Sequence, residues 1–420
     1  MTAPQTAESI GRVFESAVYA FTDDFIDAGV PEVADDLASK GFSAVSLATV
    51  YHAARDLLPH NPKRAVAHRD EGAHYYQPIA SQYTGPLQPP AVAKQTGEQF
   101  EIVVDAITER GMSWQAWTVY LHNSRLAIEH PECAVRNAFG DIYITDLCPS
   151  VEQVATYSVE LTADVARLSP SLVVAESLHH AGFGHGYHHE RAFVPVGAVT
   201  GFLLSLCFCE SCSARANSGS LDAAALAERV RFVVRAALAG GGDREPELSR
   251  DNLAELCGSE LLDYLAAREQ TVTSLAQRCA REAGSAGVPF GFIDQTGALK
   301  GYVSGDPQGS TSAHDAWQLG IAPASVSAAV DSYVVLAYAR DAARVARDVA
   351  AYAEVTNTLR SVLRHGGVDY LGAENLAEKV ANATAAGAQF VDFYHYGLMP
   401  LAGLTAAAAA IEAVSARQKG

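Results

Sequence analysis

The chain reads as an α/β protein of the (β/α)8 TIM-barrel class, with long loops at the C-terminal face of the barrel and a helical excursion after strand four. Three observations predict this. Short apolar, β-branched runs alternate with longer helical patterns from end to end, the order that parallel β/α folds produce. Eight such strand-helix units fit into 420 residues, a length that one barrel with insertions reaches. No strand is followed by a GxGxxG turn and no GxxxxGK[ST] loop occurs, which disfavours an open nucleotide-binding sheet. A single barrel domain spanning 1–420 is expected, with a cysteine-bearing, helical excursion at about 178–286.

The first strand, Ser16–Phe21, is followed by Asp23-Asp24 and a helix starting near Pro31, a residue suited to a first helical turn. Strand two is Phe42–Ala48. A long excursion from Val50 to about Gly97 then carries Tyr51, His52, His60, His68, His74, Tyr75 and Tyr76. Its prolines argue against regular structure, and its length argues for a functional loop. The helix Glu98–Arg110 leads into strand three, Ser113–Leu121, whose exit holds His122, Asn123 and Arg125. Helix Val151–Leu168 enters strand four, Leu172–Ala175, which leaves into Glu176. After it come the His-rich loop Leu178–Glu190, an apolar helix around Val196–Leu206, a cysteine cluster, and helices near Leu221–Leu238 and Arg250–Ala283. Strand five is Val288–Ile293, ending in Asp294; strands six, seven and eight are Tyr333–Ala337, Leu359–Leu363 and Gln389–Phe393, the last followed by Tyr394, His395 and Tyr396.

Composition narrows the chemistry. Apolar residues make up 49% of the chain and charged residues 19%, enough for a large core. The net charge of -18 disfavours nucleic acid and anionic lipid as partners, so a neutral or cationic small molecule fits better. The first twenty residues lack a continuous apolar leader core, and the longest apolar run, Val194–Cys209, is broken by Pro195, Gly197 and Gly201. No membrane span and a cytoplasmic location are expected, and a homo-oligomer is compatible with the sequence.

Three of the seven cysteines crowd into Cys207-Phe208-Cys209-Glu210-Ser211-Cys212. Such a CxCxxC turn offers soft thiolates to a structural zinc ion once a fourth ligand arrives. Cys148, just before the helix into strand four, is the first choice for that ligand and Cys133 the rival; Cys257 and Cys279 are expected to take no part. Inert buried cysteines are the plainer alternative.

Here the sequence resembles glycoside hydrolase family 42, the β-galactosidase family, over Asp146 to about Val230. The resemblance rests on Cys148-Pro149-Ser150 with Tyr157 downstream, on Glu176 at a strand end, and on the CxCxxC cluster after it. It implies that Glu176 is a catalytic acid/base, that Cys148, Cys207, Cys209 and Cys212 hold zinc, and that the substrate is a carbohydrate. Two departures are visible. The family has Asn-Glu where this chain has Ala175-Glu176, and strand seven, where the family has its nucleophilic Glu, ends here in Arg364-His365-Gly366.

Glycoside hydrolysis needs a second carboxylate beside the acid. The strand-end candidates are Asp23, Asp24, Asp294 and Asp392, with Asp294 first because it closes an apolar strand; a capping role is its alternative. Expected sugar-binding groups at the same face are Asp23, Asp24, Tyr51, His52, His122, Asn123, His188, His189, Tyr394 and His395, whose imidazole, amide, carboxylate and phenol groups suit hydroxyls. Trp114 and Trp117 fall on opposite faces of strand three, so one is expected in the barrel wall. A metal-dependent sugar isomerase or lyase using the His-rich loop and a non-catalytic sugar-binding relative are the competing readings.

Overall fold

The computed structural model describes residues 15–90, 94–184, 191–219, 221–240 and 245–419. Eight parallel strands close into a barrel: β1 (Ala17–Ala20), β2 (Ala44–Tyr51), β3 (Ser113–Val119), β4 (Val173–Glu176), β5 (Phe290–Asp294), β6 (Ser332–Leu336), β7 (Leu359–Arg364) and β8 (Phe390–Tyr394). Closure is made at β1, which pairs with β2 in the register Val18↔Val45 and with β8 in the register Val18↔Phe393. The strands are short and apolar because both their faces are covered, by the barrel interior on one side and by helices on the other. All eight residues of β2 are buried.

Helices follow the strands in the order expected of a (β/α)8 fold. Val30–Ser39 follows β1, Lys94–Glu109 follows β2, Glu152–Ala166 follows β3, and Glu260–Ser285 closes the fourth unit. Ala342–Ala353, Ala373–Ala385 and Leu401–Lys419 follow β6, β7 and β8. The excursion after β4 adds Ala198–Ser205, Glu210–Ser218, Ala223–Ala239 and Arg250–Cys257 before the long helix. The sequence suggests one helix over 250–283, but it breaks at Gly258, whose φ of 94° is accessible to glycine and strained for other residues.

The segment 50–90 is more regular than its prolines imply. Ala54–Leu57 and Val66–Arg69 form a hairpin, pinned by an ion pair between Arg69 and Asp56 at 2.8 Å, and Ala73–His74 adds an antiparallel bridge to β2. Beyond it the chain is tied to the helix Glu152–Ala166, where the buried Asp164 accepts hydrogen bonds from Tyr76 Oη, Tyr83 Oη and the Ile79 amide. Only the start of the excursion therefore reaches the barrel mouth. A second hairpin, Ala134–Arg136 with Ile142–Leu147, stands between β3 and its helix and carries the chain to Cys148.

Asp392 is committed to the barrel interior. Its carboxylate takes two hydrogen bonds at 2.8 Å from Arg360 of β7 and one from the Ala17 amide, all buried. A bidentate buried pair of this kind fixes register between β7, β8 and β1, and it removes Asp392 from the candidates for catalysis.

Candidate functional site

The C-terminal ends of the strands enclose a cavity of about 300 Å³. Each strand contributes to its wall in turn: Tyr19 from β1, Tyr51 from β2, Leu121 and His122 after β3, Glu176 from β4, Ile293 and Gln295 around β5, Leu336 and Tyr338 around β6, Val362 from β7 and Tyr394 from β8. Barrel closure thus gathers residues almost 380 positions apart, as the fold dictates for this face.

Glu176 is the last residue of β4 and turns inward. Trp117 Nε1 donates to one of its oxygens at 2.5 Å and Gln295 Nε2 donates to the other at 2.9 Å. The Gln295 amide is itself oriented, because its Oε1 accepts from Ser177 Oγ at 3.0 Å. Burial raises the Glu176 pKa above the ordinary carboxyl range, and it outweighs the two hydrogen bonds and the nearby His122, which favour the charged form.

Opposing it chemically is a histidine-carboxylate pair. His122 Nδ1 lies 3.0 Å from Asp146 Oδ1, and Asp146 Oδ2 accepts from Thr145 Oγ1 at 2.6 Å. Burial alone would lower the His122 pKa, but the bond to Asp146 and the charges of Asp146, Glu71 and Glu176 raise it overall. His52 packs edge-on against His122, with ring centroids 4.7 Å apart, and stacks on Tyr51 at 4.2 Å. Tyr51 Oη and Tyr394 Oη are 3.3 Å apart, so β2 and β8 meet across the cavity.

Five of the residues expected from the sequence therefore share one cavity: Tyr51, His52, His122, Glu176 and Tyr394. His188 and His189 lie outside the described residues. The remaining expectations need correction. Asp294 is fully buried on the outer face of β5, where its oxygens accept from Tyr333 Oη, Tyr352 Oη and the Thr296 amide. Alternation along a strand explains this, since Ile293 and Asp294 cannot both face inward. Asp23 bridges Arg64 and Arg69 at 2.7 Å each, away from the cavity. Asp24 is buried against the Phe21 amide at 2.8 Å. Asn123 caps the helix Ser124–Glu129 by accepting from the Leu126 amide. His395 lies behind Phe21, with ring centroids 4.7 Å apart, and its Nδ1 accepts from the Gly397 amide.

Sequence reasoning overlooked Tyr19, Gln295, Tyr302, Tyr338 and Asp146 as wall residues. The missed signal is positional: Tyr19, Gln295 and Tyr338 stand at or just beyond strand ends, where barrel enzymes place their chemistry. Of the two tryptophans on opposite faces of strand three, Trp117 is buried and donates to Glu176.

Behind the cavity, Cys148, Cys207, Cys209 and Cys212 bring four buried sulfurs within 4.8 Å of one another. The Cys148 sulfur is 3.5 Å from that of Cys212 and 3.6 Å from those of Cys207 and Cys209. Tetrahedral zinc with bonds of about 2.3 Å sets sulfur-sulfur edges of roughly 3.8 Å, so the set fits that ion with small expansion. Cys133 lies outside the group of four sulfurs; its carbonyl accepts from the Cys148 amide. Among the described residues this is the one group of three or more His, Cys, Asp or Glu side chains arranged to hold a metal.

No protein-family model matches the chain, and no curated protein matches it in sequence. Solved structures do match its fold. A β-galactosidase from the psychrophilic Marinomonas ef1 superposes with a TM-score of 0.56 at 12% identity, covering 96% of this chain and 59% of its own. A polyextremophilic β-galactosidase from the haloarchaeon Halorubrum lacusprofundi gives 0.56 at 14% identity, over 95% of this chain and 57% of its own. An endo-1,4-β-mannanase from Rhizomucor miehei gives 0.51 at 9% identity over 99% of both chains. The chain spans a little under three-fifths of the length of the two β-galactosidases. At these identities the likeness establishes the barrel fold.

Proposed function

We propose that the protein is a glycoside-hydrolase-like enzyme that cleaves a small glycoside or oligosaccharide, with Glu176 as general acid. The observation that carries this reading is a carboxyl at the end of β4, its pKa raised by burial, that lines an aromatic-walled cavity at the face where barrel enzymes work. In the proposed reaction Glu176 protonates the glycosidic oxygen as the bond from it to the anomeric carbon breaks. The partner role moves from Asp294 to the His122–Asp146 pair: His122 takes a proton from the attacking water, whose oxygen bonds to the anomeric carbon. Tyr51, His52 and Tyr394 orient sugar hydroxyls, and the tyrosine rings cover apolar sugar faces.

Glu176→Gln keeps the side-chain volume and removes the ionisable proton, while its NH2 can no longer accept from one of the two donors, so kcat per folded molecule on a cleaved glycoside should fall about 10²–10⁴-fold, beyond any modest drop in melting temperature. Retained turnover would remove the assignment. A second reading, a sugar-binding protein without turnover, is favoured by one observation: β7 ends in Arg364, ion-paired at 2.6 Å to Asp369, where a second carboxylate would be needed. Calorimetric binding of sugars without hydrolysis by the wild-type protein would select it.

We further assign a structural zinc ion to Cys148, Cys207, Cys209 and Cys212. All four donors are cysteine sulfurs, so with an ion bound as thiolates they would leave no open position, and the ion would supply folding energy rather than reaction chemistry. Elemental analysis should return one zinc per chain, and replacing Cys148 by Ser should lower it. No helix among the described residues is long and apolar enough to cross a membrane.

A further inference from the structure

The long helix Glu260–Ser285 presents Arg268 to the interior beside the cysteine cluster. Its side chain is 3% exposed, yet Nε and Nη1 have no hydrogen-bond partner, and Nη2 reaches only the Gln318 carbonyl at 3.4 Å. Guanidinium stays protonated in proteins, so a buried one needs a compensating negative charge. No carboxylate among the described residues pairs with it. Glu269, next in sequence, is bonded to Arg250 at 2.5 Å. The groups whose charge favours its protonated form are, largest first, Tyr264, Cys212, Cys207 and Glu269; Tyr264 is a phenol held neutral by burial and Glu269 is engaged by Arg250, which leaves the two cysteines of the cluster. Tyr264 Oη in turn donates to the Cys207 carbonyl, which places this helix directly against the cluster.

Four neutral thiols provide no such charge. Four thiolates around a divalent cation carry a net charge of -2. We propose that Arg268 is the counter-ion and positioning residue of the metal centre, offsetting part of that charge and tying the centre to the cavity wall. The proposal rests on the zinc assignment above. The tie runs through two contacts. Arg268 donates to Gln318, adjacent to the wall residue Leu319, while the Leu319 carbonyl accepts from the His180 amide beside the wall residue His179. Gly320 packs into the same junction, where an added Cβ would stand 2.7 Å from the His180 ring and 3.5 Å from the Arg268 side chain. His180 is buried beside Arg268 and is held neutral by burial and by that charge.

The test compares wild type with Arg268→Met, which keeps the volume and removes the charge, and with Arg268→Lys, which keeps the charge. Zinc affinity is read by competition with a chromophoric chelator, and melting temperature is read for the zinc-loaded and stripped forms. Arg268→Met should bind zinc about 10–100-fold more weakly, with most of the affinity restored in Arg268→Lys. It should lower the melting temperature of the loaded form while leaving or raising that of the stripped form, which buries an uncompensated cation. Unchanged zinc affinity, or an equal loss of stability in both forms, would reduce Arg268 to a packing role and overturn the proposal. Arg268→Gln gives the same readout if the Met variant does not fold. Wild-type protein that binds no zinc would remove the zinc assignment and this proposal together, a result read before any variant is made.

Discussion

A buried carboxyl can either serve chemistry or hold structure, and Glu176 and Asp294 show how the two differ. Glu176 opens to the cavity and takes its bonds from an indole and an amide, neither of which changes charge when a proton moves. Asp294 is enclosed by two phenols and a backbone amide. Asp294→Asn should therefore lose about 1–3 kcal/mol of stability, seen as a lower melting temperature, while turnover per folded molecule is kept. Asp24 gives a pH prediction. Burial, helped by the adjacent Asp23, raises its pKa to about 7 against the opposing bond from the Phe21 amide. Between about pH 4 and pH 7 the folded protein holds this proton after the unfolded chain has released it. The stability from this site is thus full below about pH 4 and is lost as pH rises through 7. Asp24→Asn should gain stability relative to wild type as pH rises from about 4 to about 7, by up to about 1.4 kcal/mol per unit, and hold that gain above 7, in denaturation curves taken at each pH. A variant that tracks wild type across that window would contradict the assignment.

At the scale of elements, the short helix Thr296–Gly301 after β5 governs how Gln295 is aimed. It lies on the end of β6 so closely that a Cβ at Gly297 would come 1.8 Å from the Leu336 carbonyl oxygen, and one at Gly301 would come 2.0 Å from that of Tyr338. Backbone cannot yield as a flexible side chain can. Gly297→Ala should displace the helix, unseat Gln295 from Glu176, and lower both kcat and the melting temperature, whereas Gly284→Ala, in open space on a helix, should leave kcat unchanged and hold or slightly raise the melting temperature. The eight strands were legible in the sequence because a doubly covered strand is a continuous apolar run bounded by turns, which pattern alone reveals. The hairpin Ala134–Arg136/Ile142–Leu147 was not, since only part of it is buried and its residues show no clean alternation. The break at Gly258 was hidden for a related reason: the apolar period continues on both sides of it, and only the backbone angle reports the turn.

For the molecule as a whole, chain order predicted which face of the barrel carries the cavity, and it brought Glu176, His122, His52, Tyr51 and Tyr394 there together. It could not say which way a strand-end side chain turns. Asp294 shows this, because one step along a strand reverses the face and the apolar run gives no marker of phase; Asp392 does face inward but is taken up by Arg360. The same limit concealed Tyr19 and Tyr338. The cysteine cluster was easier, since three of its four members are fixed by local spacing and the fourth by a hairpin that ends beside them.

The indole at the centre of the site makes the molecule its own optical instrument. The chain has three tryptophans. Trp114 packs edge-on to Phe100 and Trp317 to Phe202, whereas Trp117 alone is bonded to the carboxyl of Glu176. With Trp114 and Trp317 replaced by Phe, the remaining emission should follow the ionisation of that one carboxyl, and its midpoint on titration should lie above that of an ordinary glutamate. Filling of the cavity by a sugar would register in the same signal without a chromogenic substrate, so occupancy can be watched before any product has been identified.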